Sequence, residues 1–316
     1  MRAVILDLKG LETLDLTKLN GCVEELVSYS TTAESQVIER ANGFDIVITN
    51  KTALTAKTIS TLEGTKLICV LATGTNVVDK QAARERNIPV CNCVAYGVDS
   101  VAQHVWSLIL ALHTNLLSYT RNISEGEWQK SDQFCFIRHP IVELKGRTLG
   151  IVGNGNLGKG VAAIASAFGM EVVICQKIGE TKAAKSGELP FDKFVQEADV
   201  ISLHCPLTDE TENLFTLDVF KRMKPEAFLI NTARGGIVNE GDLAEALRQG
   251  LLAGAAVDVL TNEPPRSGNP LLDNIIPNLI VTPHIAWASE QARAKIIEQT
   301  AENIQSFTQG QPIRTV

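Results

Sequence analysis

The chain has 316 residues, a mass of 34.2 kDa and a hydrophobic share of 45%, enough length and apolar content for about two domains with a core each. A formal net charge of -7 and a pI near 5.4, with no run of lysine or arginine, point away from nucleic acid and from an anionic membrane as partners. The apolar stretch at 3–6 is too brief for a signal-peptide core and no segment has bilayer-spanning length, so a cytoplasmic location is expected.

Short apolar runs at 3–6, 26–29, 45–49, 67–72 and 90–94 alternate with polar segments of helix length, the pattern of an open α/β domain with a parallel sheet. Ser100 is then expected to cap a connector helix over 101–119, with Val105, Leu108, Ile109 and Leu112 on one face. The second half repeats the alternation at 148–152, 171–175, 199–204, 227–231, 254–260 and 279–282, and six strands suit a complete dinucleotide-binding sheet. An amphipathic helix over 289–307 is expected to return to the first domain. The domains are accordingly drawn at 1–98 with 287–316, and at 99–286. The seven cysteines form no C-x-x-C pair and mostly lie in apolar runs, so a metal site is not expected.

At 148–158 the chain reads T-L-G-I-V-G-N-G-N-L-G, with Gly153, Gly155 and Gly158 placed between a short apolar strand and a helix marked by Val161, Ile164, Ala165 and Phe168. Such a pattern can be only a structural turn. With a strand on each side it points to dinucleotide binding: Gly153 makes the tight turn, Gly155 lets a phosphate approach the backbone, and Gly158 lets the helix pack on the strand. The pyrophosphate would rest on the helix N-terminus.

Ligands in open α/β sheets bind beyond the carboxyl ends of the strands. In the second half one strand runs into N-T-A-R-G-G, with Arg234 at its tip; the next into D-V-L-T-N-E-P-P, with Asp258 and Glu263; the last into T-P-H, with His284. Singly, each has an ordinary explanation: a surface ion pair, a solvated carboxylate, a satisfied imidazole. Together, beside a nicotinamide, they supply what carbonyl reduction demands, because hydride arriving at carbon leaves charge on oxygen. His284 would donate the proton, Arg234 would orient and polarise a 2-keto acid, and Glu263 would hydrogen-bond the other imidazole nitrogen and favour the imidazolium.

These motifs, with H-C-P-L-T at 204–208 and S-V-A-Q-H at 100–104, resemble the D-isomer-specific 2-hydroxyacid dehydrogenase family over almost the whole chain. W-Q-K-S-D-Q-F-C at 128–135 and P-I-V-E-L at 140–144 are similar to the glycerate dehydrogenase, or hydroxypyruvate reductase, subgroup. The resemblance implies a Rossmann dinucleotide-binding domain and a smaller flavodoxin-like substrate domain closing over the substrate. It implies Arg234 as substrate-binding residue, Glu263 as support of the histidine and His284 as acid/base. It places Asn156, Leu157, Cys205, Pro206, Thr232, Ala233 and Asp258 along the dinucleotide, with Arg234 and His284 adjoining it. It also implies that Lys51 and the A-T-G-T turn, through Thr73 and Gly74, hold the substrate carboxylate, partly by backbone N–H groups. Hydroxypyruvate/D-glycerate and glyoxylate/glycolate are the favoured substrate pairs, and a homodimer through 121–147 is favoured by the same resemblance.

One departure concerns the coenzyme. Gln176 stands where the family commonly has aspartate gripping the ribose 2'-hydroxyl, and Lys177 follows it. Without that carboxylate a 2'-phosphate is not repelled, so the coenzyme is NADP or NAD, with NADPH expected to be accepted. The alternatives are another D-2-hydroxyacid or phosphoglycerate dehydrogenase, or a non-enzymatic NAD(H)-sensing protein resembling corepressors built on this fold.

Overall fold

In the computed structural model, which describes residues 1–180, 184–272 and 276–316, the chain divides into one unit of Met1–Gly97 with Ala288–Val316 and another of Val98–Trp287. The first unit contains β1 (Arg2–Ile5), α1 (Thr17–Asn20), β2 (Glu25–Ser28), α2 (Val37–Ala41), β3 (Ile46–Thr49), α3 (Ala56–Thr61), β4 (Leu67–Val70), α4 (Lys80–Glu85) and β5 (Val90–Cys91). All pairings are parallel and the order is β2-β1-β3-β4-β5, a doubly wound sheet whose order reverses between β1 and β3. I-V-I-T and L-I-C-V of β3 and β4 are buried at every position, because helices cover both faces. The closing helix, Glu290–Thr308, is capped by the Ser289 hydroxyl, which accepts from Ala292 N at 3.2 Å, and it belongs to this unit. There Gln299 bonds both the N–H and the C=O of Val94 at 2.9 Å, and Asn303 donates to Asn92 O at 3.0 Å.

The second unit begins with α5 (Val98–His113) and α6 (Leu116–Ser124). It continues through β6 (Thr148–Val152), α7 (Asn156–Ala165), β7 (Glu171–Cys175), β8 (Glu188–Leu189), α8 (Phe191–Glu197) and β9 (Val200–Leu203). It ends with α9 (Leu217–Phe220), β10 (Phe228–Asn231), α10 (Glu240–Arg248), β11 (Gly254–Val257) and β12 (Leu279–Val281). The order β12-β11-β10-β9-β6-β7-β8 is again parallel, with the reversal between β6 and β9. The sequence reading of six strands misses β8, whose two residues carry no period and are strand only because they pair with Ile174 and Cys175. The single helix expected over 101–119 is two: Asn115 adopts a left-handed φ of 51° and breaks it. Ser100 is no N-cap either, since it lies inside α5. Among the described residues no helix is long and apolar enough to cross a membrane.

Candidate active site

In the β6–α7 turn, Gly153 has φ +98°, and a Cβ built on it would lie 2.6 Å from Cys205 N and from His204 C. The turn therefore presses against the exit of β9 and only glycine fits. At Gly158 a Cβ would meet Gly153 O at 2.2 Å, so helix and turn touch backbone to backbone. Gly155 is the opposite case: it is the N-cap of the ten-residue α7, offers no side-chain cap, and a Cβ there would meet no protein atom within 4 Å. First-turn N–H groups of Asn156, Leu157 and Gly158 thus stand at an uncapped helix end that an anion can approach.

The exits of the neighbouring strands carry the other sequence candidates. Cys205 is half-buried, its thiol pushed up to about 11 by burial, and Pro206 is exposed. Thr232 and Ala233 are buried, and the Thr232 hydroxyl has no partner among the described residues. An orphaned buried hydroxyl and, separately, an uncapped helix end are both features that a polar ligand such as a dinucleotide can satisfy. Past β7, Gln176 N donates to Leu189 O at 2.8 Å, its side-chain amide reaches Glu180 O at 3.5 Å, and Lys177 is exposed. His204, just past β9, bonds Ser202 Oγ through Nε2 at 2.8 Å and is held down to about 4 by burial.

Beyond β10, β11 and β12 the chain builds an interlocked set of loops. Asn231 staples the first, its side chain donating to Arg234 O at 2.9 Å and accepting from Ala233 N at 3.0 Å, which leaves Arg234 exposed at the tip. A Cβ on Gly235 would lie 2.0 Å from Leu260 C, so this loop abuts the one after β11. Glu263 ties that loop to the next: Oε1 accepts from Leu260 N at 2.8 Å, and Oε2 is 2.6 Å from His284 Nδ1. Glu263 and His284 are each 34% exposed, so the pair is reachable while Nδ1 is occupied, and Nε2 is the nitrogen left to transfer a proton. His284 has φ +56°.

Asp258 is 1% exposed. Its carboxylate accepts from Ile285 N at 2.9 Å, from Ala286 N at 2.8 Å and from the Thr282 hydroxyl, and its main-chain oxygen accepts from His284 N at 2.8 Å. The bonds its oxygens accept thus come from the loop that carries the histidine. Ser100 and His104, passed over as site residues in the sequence, reach the same loop: Ser100 Oγ donates to Ala286 O at 2.7 Å and His104 Nε2 lies 3.1 Å from Thr282 Oγ1. Their spacing of four on a helix was the available signal, but only their distant partners give it meaning.

The first unit holds the remaining candidates at the exits of β3 and β4. Asp7, 6% exposed, accepts N–H bonds from Asn50 at 2.9 Å, Lys51 at 2.5 Å and Thr52 at 3.2 Å. The Lys51 side chain stays exposed beside a cavity of about 440 Å³ that Asp7, Lys9, Thr31 and Thr32 also line. Thr73 donates to Cys93 O at 2.9 Å and accepts from Asn92 Nδ2 at 2.8 Å through its main chain, and Gly74 next to it is half-buried. Lys51, Thr73 and Gly74 lie in one unit; Arg234, Glu263 and His284 lie in the other.

Comparison with known proteins adds the family. Residues 106–286 match the NAD binding domain of D-isomer specific 2-hydroxyacid dehydrogenases. A glycerate dehydrogenase of Methylorubrum extorquens is 42% identical over 287 residues, covering 91% of this chain and 90% of that one. A hydroxypyruvate reductase of Blautia hydrogenotrophica is 35% identical over 316 residues, covering 98% and 95%. Among solved structures, an acyclic imino acid reductase in complex with NADPH and D-Arg superposes with a TM-score of 0.85 at 28% identity, over 100% of both chains.

Proposed function

We propose, on the premise that this chain belongs to the D-isomer-specific 2-hydroxyacid dehydrogenase family, that it reduces hydroxypyruvate to D-glycerate, and glyoxylate beside it. It is an oxidoreductase of CH–OH groups that uses a nicotinamide dinucleotide. The observation that carries the residue assignment is the Glu263–His284 contact at 2.6 Å, on a loop tied to the buried Asp258.

The coenzyme, when bound, supplies the hydride. Gly155 and the first turn of α7 would receive its pyrophosphate, and Asn156, Leu157, Gly158, Cys205, Pro206, Thr232, Ala233 and Asp258 would hold the rest of it. His284 Nε2 gives a proton to the oxygen on which charge develops, and Glu263 keeps the ring in the orientation and tautomer that make this possible. Arg234, exposed at its strand tip, orients the 2-keto acid and stabilises that oxygen. In the first unit Lys51, Thr73 and Gly74 hold the substrate carboxylate, so the unit of Met1–Gly97 with Ala288–Val316 is the substrate domain and Val98–Trp287 the coenzyme domain. Gln176 and Lys177 leave room for a 2'-phosphate, so NADPH is accepted.

The partner is a small 2-keto or 2-hydroxy acid rather than nucleic acid or membrane, and the enzyme works in the cytoplasm as a homodimer. The arm after α5 supports the dimer: Phe134 is 92% exposed and Ile137 81%, with Leu116, Leu117 and Ile141 also exposed, more apolar surface than a linker needs. A monomeric mass in solution removes that assignment.

The test is absorbance at the reduced-nicotinamide band with purified protein, NADPH or NADH, and a panel of 2-keto acids. Hydroxypyruvate should give the highest kcat/KM. Coenzyme binding without turnover on any acid would leave a sensor in place of an enzyme, and a preference for NADH of about 100-fold or more would overturn the coenzyme reading.

A further inference from the structure

We infer that Ser100 and His104, one turn apart on α5, form a clamp that positions His284. This deepens, and rests on, the dehydrogenase reading above. The need for a clamp arises in the backbone: at φ +56° His284 holds a left-handed conformation that is unfavourable for an L-residue, so its neighbours must keep it there.

Part of the hold comes from β11, through the main chain and carboxylate of Asp258. But β12 is the edge strand of its sheet, so the loop leaving it has a neighbouring strand on one side only. Helix α5 supplies the second hold, and it takes the two ends of the loop. His104 engages the Thr282 hydroxyl at 3.1 Å and Ser100 donates to Ala286 O at 2.7 Å, with His284 between them.

The direction of the histidine bond follows from counting hydrogens. The one hydroxyl hydrogen of Thr282 goes to Asp258, so Thr282 Oγ1 can only accept from His104, which therefore carries a proton on Nε2. The same nitrogen is 3.6 Å from Asp258 Oδ1, which places a donor beside a nearly inaccessible carboxylate. The helix itself is firmly seated. Val101, Val105 and Trp106 are buried, Trp106 Nε1 donates to Val161 O at 2.9 Å, and its ring stacks on Phe168 at 4.7 Å between centroids.

Losing the clamp should shift the His284 imidazole while leaving the glycine turn in place, so chemistry and coenzyme binding should separate. The experiment compares parent, His104→Leu, His104→Gln and Ser100→Ala for kcat on hydroxypyruvate, for NADPH Kd by fluorescence titration, and for Tm. In His104→Leu, kcat should fall about tenfold with Kd held within about twofold, and His104→Gln, which can still donate, should recover most of it. An unchanged kcat in His104→Leu, a Kd that worsens in step with kcat, or a glutamine variant as slow as the leucine one overturns the clamp. Should His104→Leu not fold, Ser100→Ala decides: a fall of about threefold in kcat at constant Kd supports the clamp and an unchanged kcat rejects it. A parent that binds NADPH yet turns over no 2-keto acid defeats the dehydrogenase reading instead.

Discussion

In the first unit the buried carboxylate of Asp7, just past β1, gathers the N–H groups of Asn50, Lys51 and Thr52 from the loop after neighbouring β3; in the second, Asp258, just past β11, does the same for Ile285 and Ala286 after neighbouring β12. The device is shared, but the loops carry different things. The first presents Lys51, whose side chain is exposed. The second presents His284 in a left-handed backbone with Nδ1 taken by Glu263 and the loop ends taken by Ser100 and His104. Holding a carboxylate tolerates a long, mobile cation, because charge attraction falls off slowly with distance. Proton transfer does not, because it works only within hydrogen-bond reach and along one direction. The tighter loop is thus where orientation matters.

The contrast predicts the largest loss at the oriented side chain. His284→Ala should lower kcat by about 10²-fold or more with the NADPH Kd nearly constant, as read by steady-state kinetics and fluorescence titration. Turnover above about a tenth of the parent's would take proton transfer away from His284.

Acid separates the two units next, because all five histidines lie within Val98–Trp287. Burial lowers His204 from 6.5 to about 4, and burial likewise lowers His113. As pH falls through 6.5 toward 4 the unfolded chain binds a proton that folded His204 refuses, so stability is lost in that window and is flat above it. The cost approaches about 3 kcal/mol at the acid end. Urea unfolding at pH 7 and pH 4.5, with hydrogen exchange to locate the loss, should find it in the second unit. His204→Asn should flatten the dependence; a variant as acid-sensitive as the parent would place its source elsewhere.

The paired aspartates test the shared device directly. Asp258→Asn and Asp7→Asn each turn an acceptor atom into a donor facing backbone N–H groups and should each cost about 2 kcal/mol in urea unfolding. Their kinetics should part: Asp258→Asn lowers kcat, whereas Asp7→Asn raises KM for hydroxypyruvate with kcat within about twofold. Identical kinetic signatures would mean the two loops do not differ in function. A smaller loss than at His284 is expected at Glu263→Gln, where an amide keeps much of the geometry and kcat should fall about tenfold. A kcat equal to the parent's would remove Glu263 from the mechanism.

Much of this was written locally. The β6–α7 turn is legible because Gly153 and Gly158 meet backbone at distances no side chain allows, and the fully apolar runs of β3 and β4 are legible because a sheet covered on both faces needs them. The contact of Glu263 with His284 is legible because neighbouring parallel strands deliver their exits to one edge. What stayed hidden depends on partners far along the chain. The two residues of β8 are strand through β7 alone, and Asn115 breaks a helix whose apolar period runs on. Ser100 reads as a cap until its hydroxyl is seen on Ala286, and His104 reads as a helix residue until Thr282 and Asp258 stand beside it. Amino-acid order by itself determined where strands, turns and reactive side chains occur, since those follow from sterics and burial within a few residues. Only the tertiary structure decided that α5 also holds the histidine's loop, since the bonds of Ser100 and His104 to residues more than a hundred positions away leave no periodic trace.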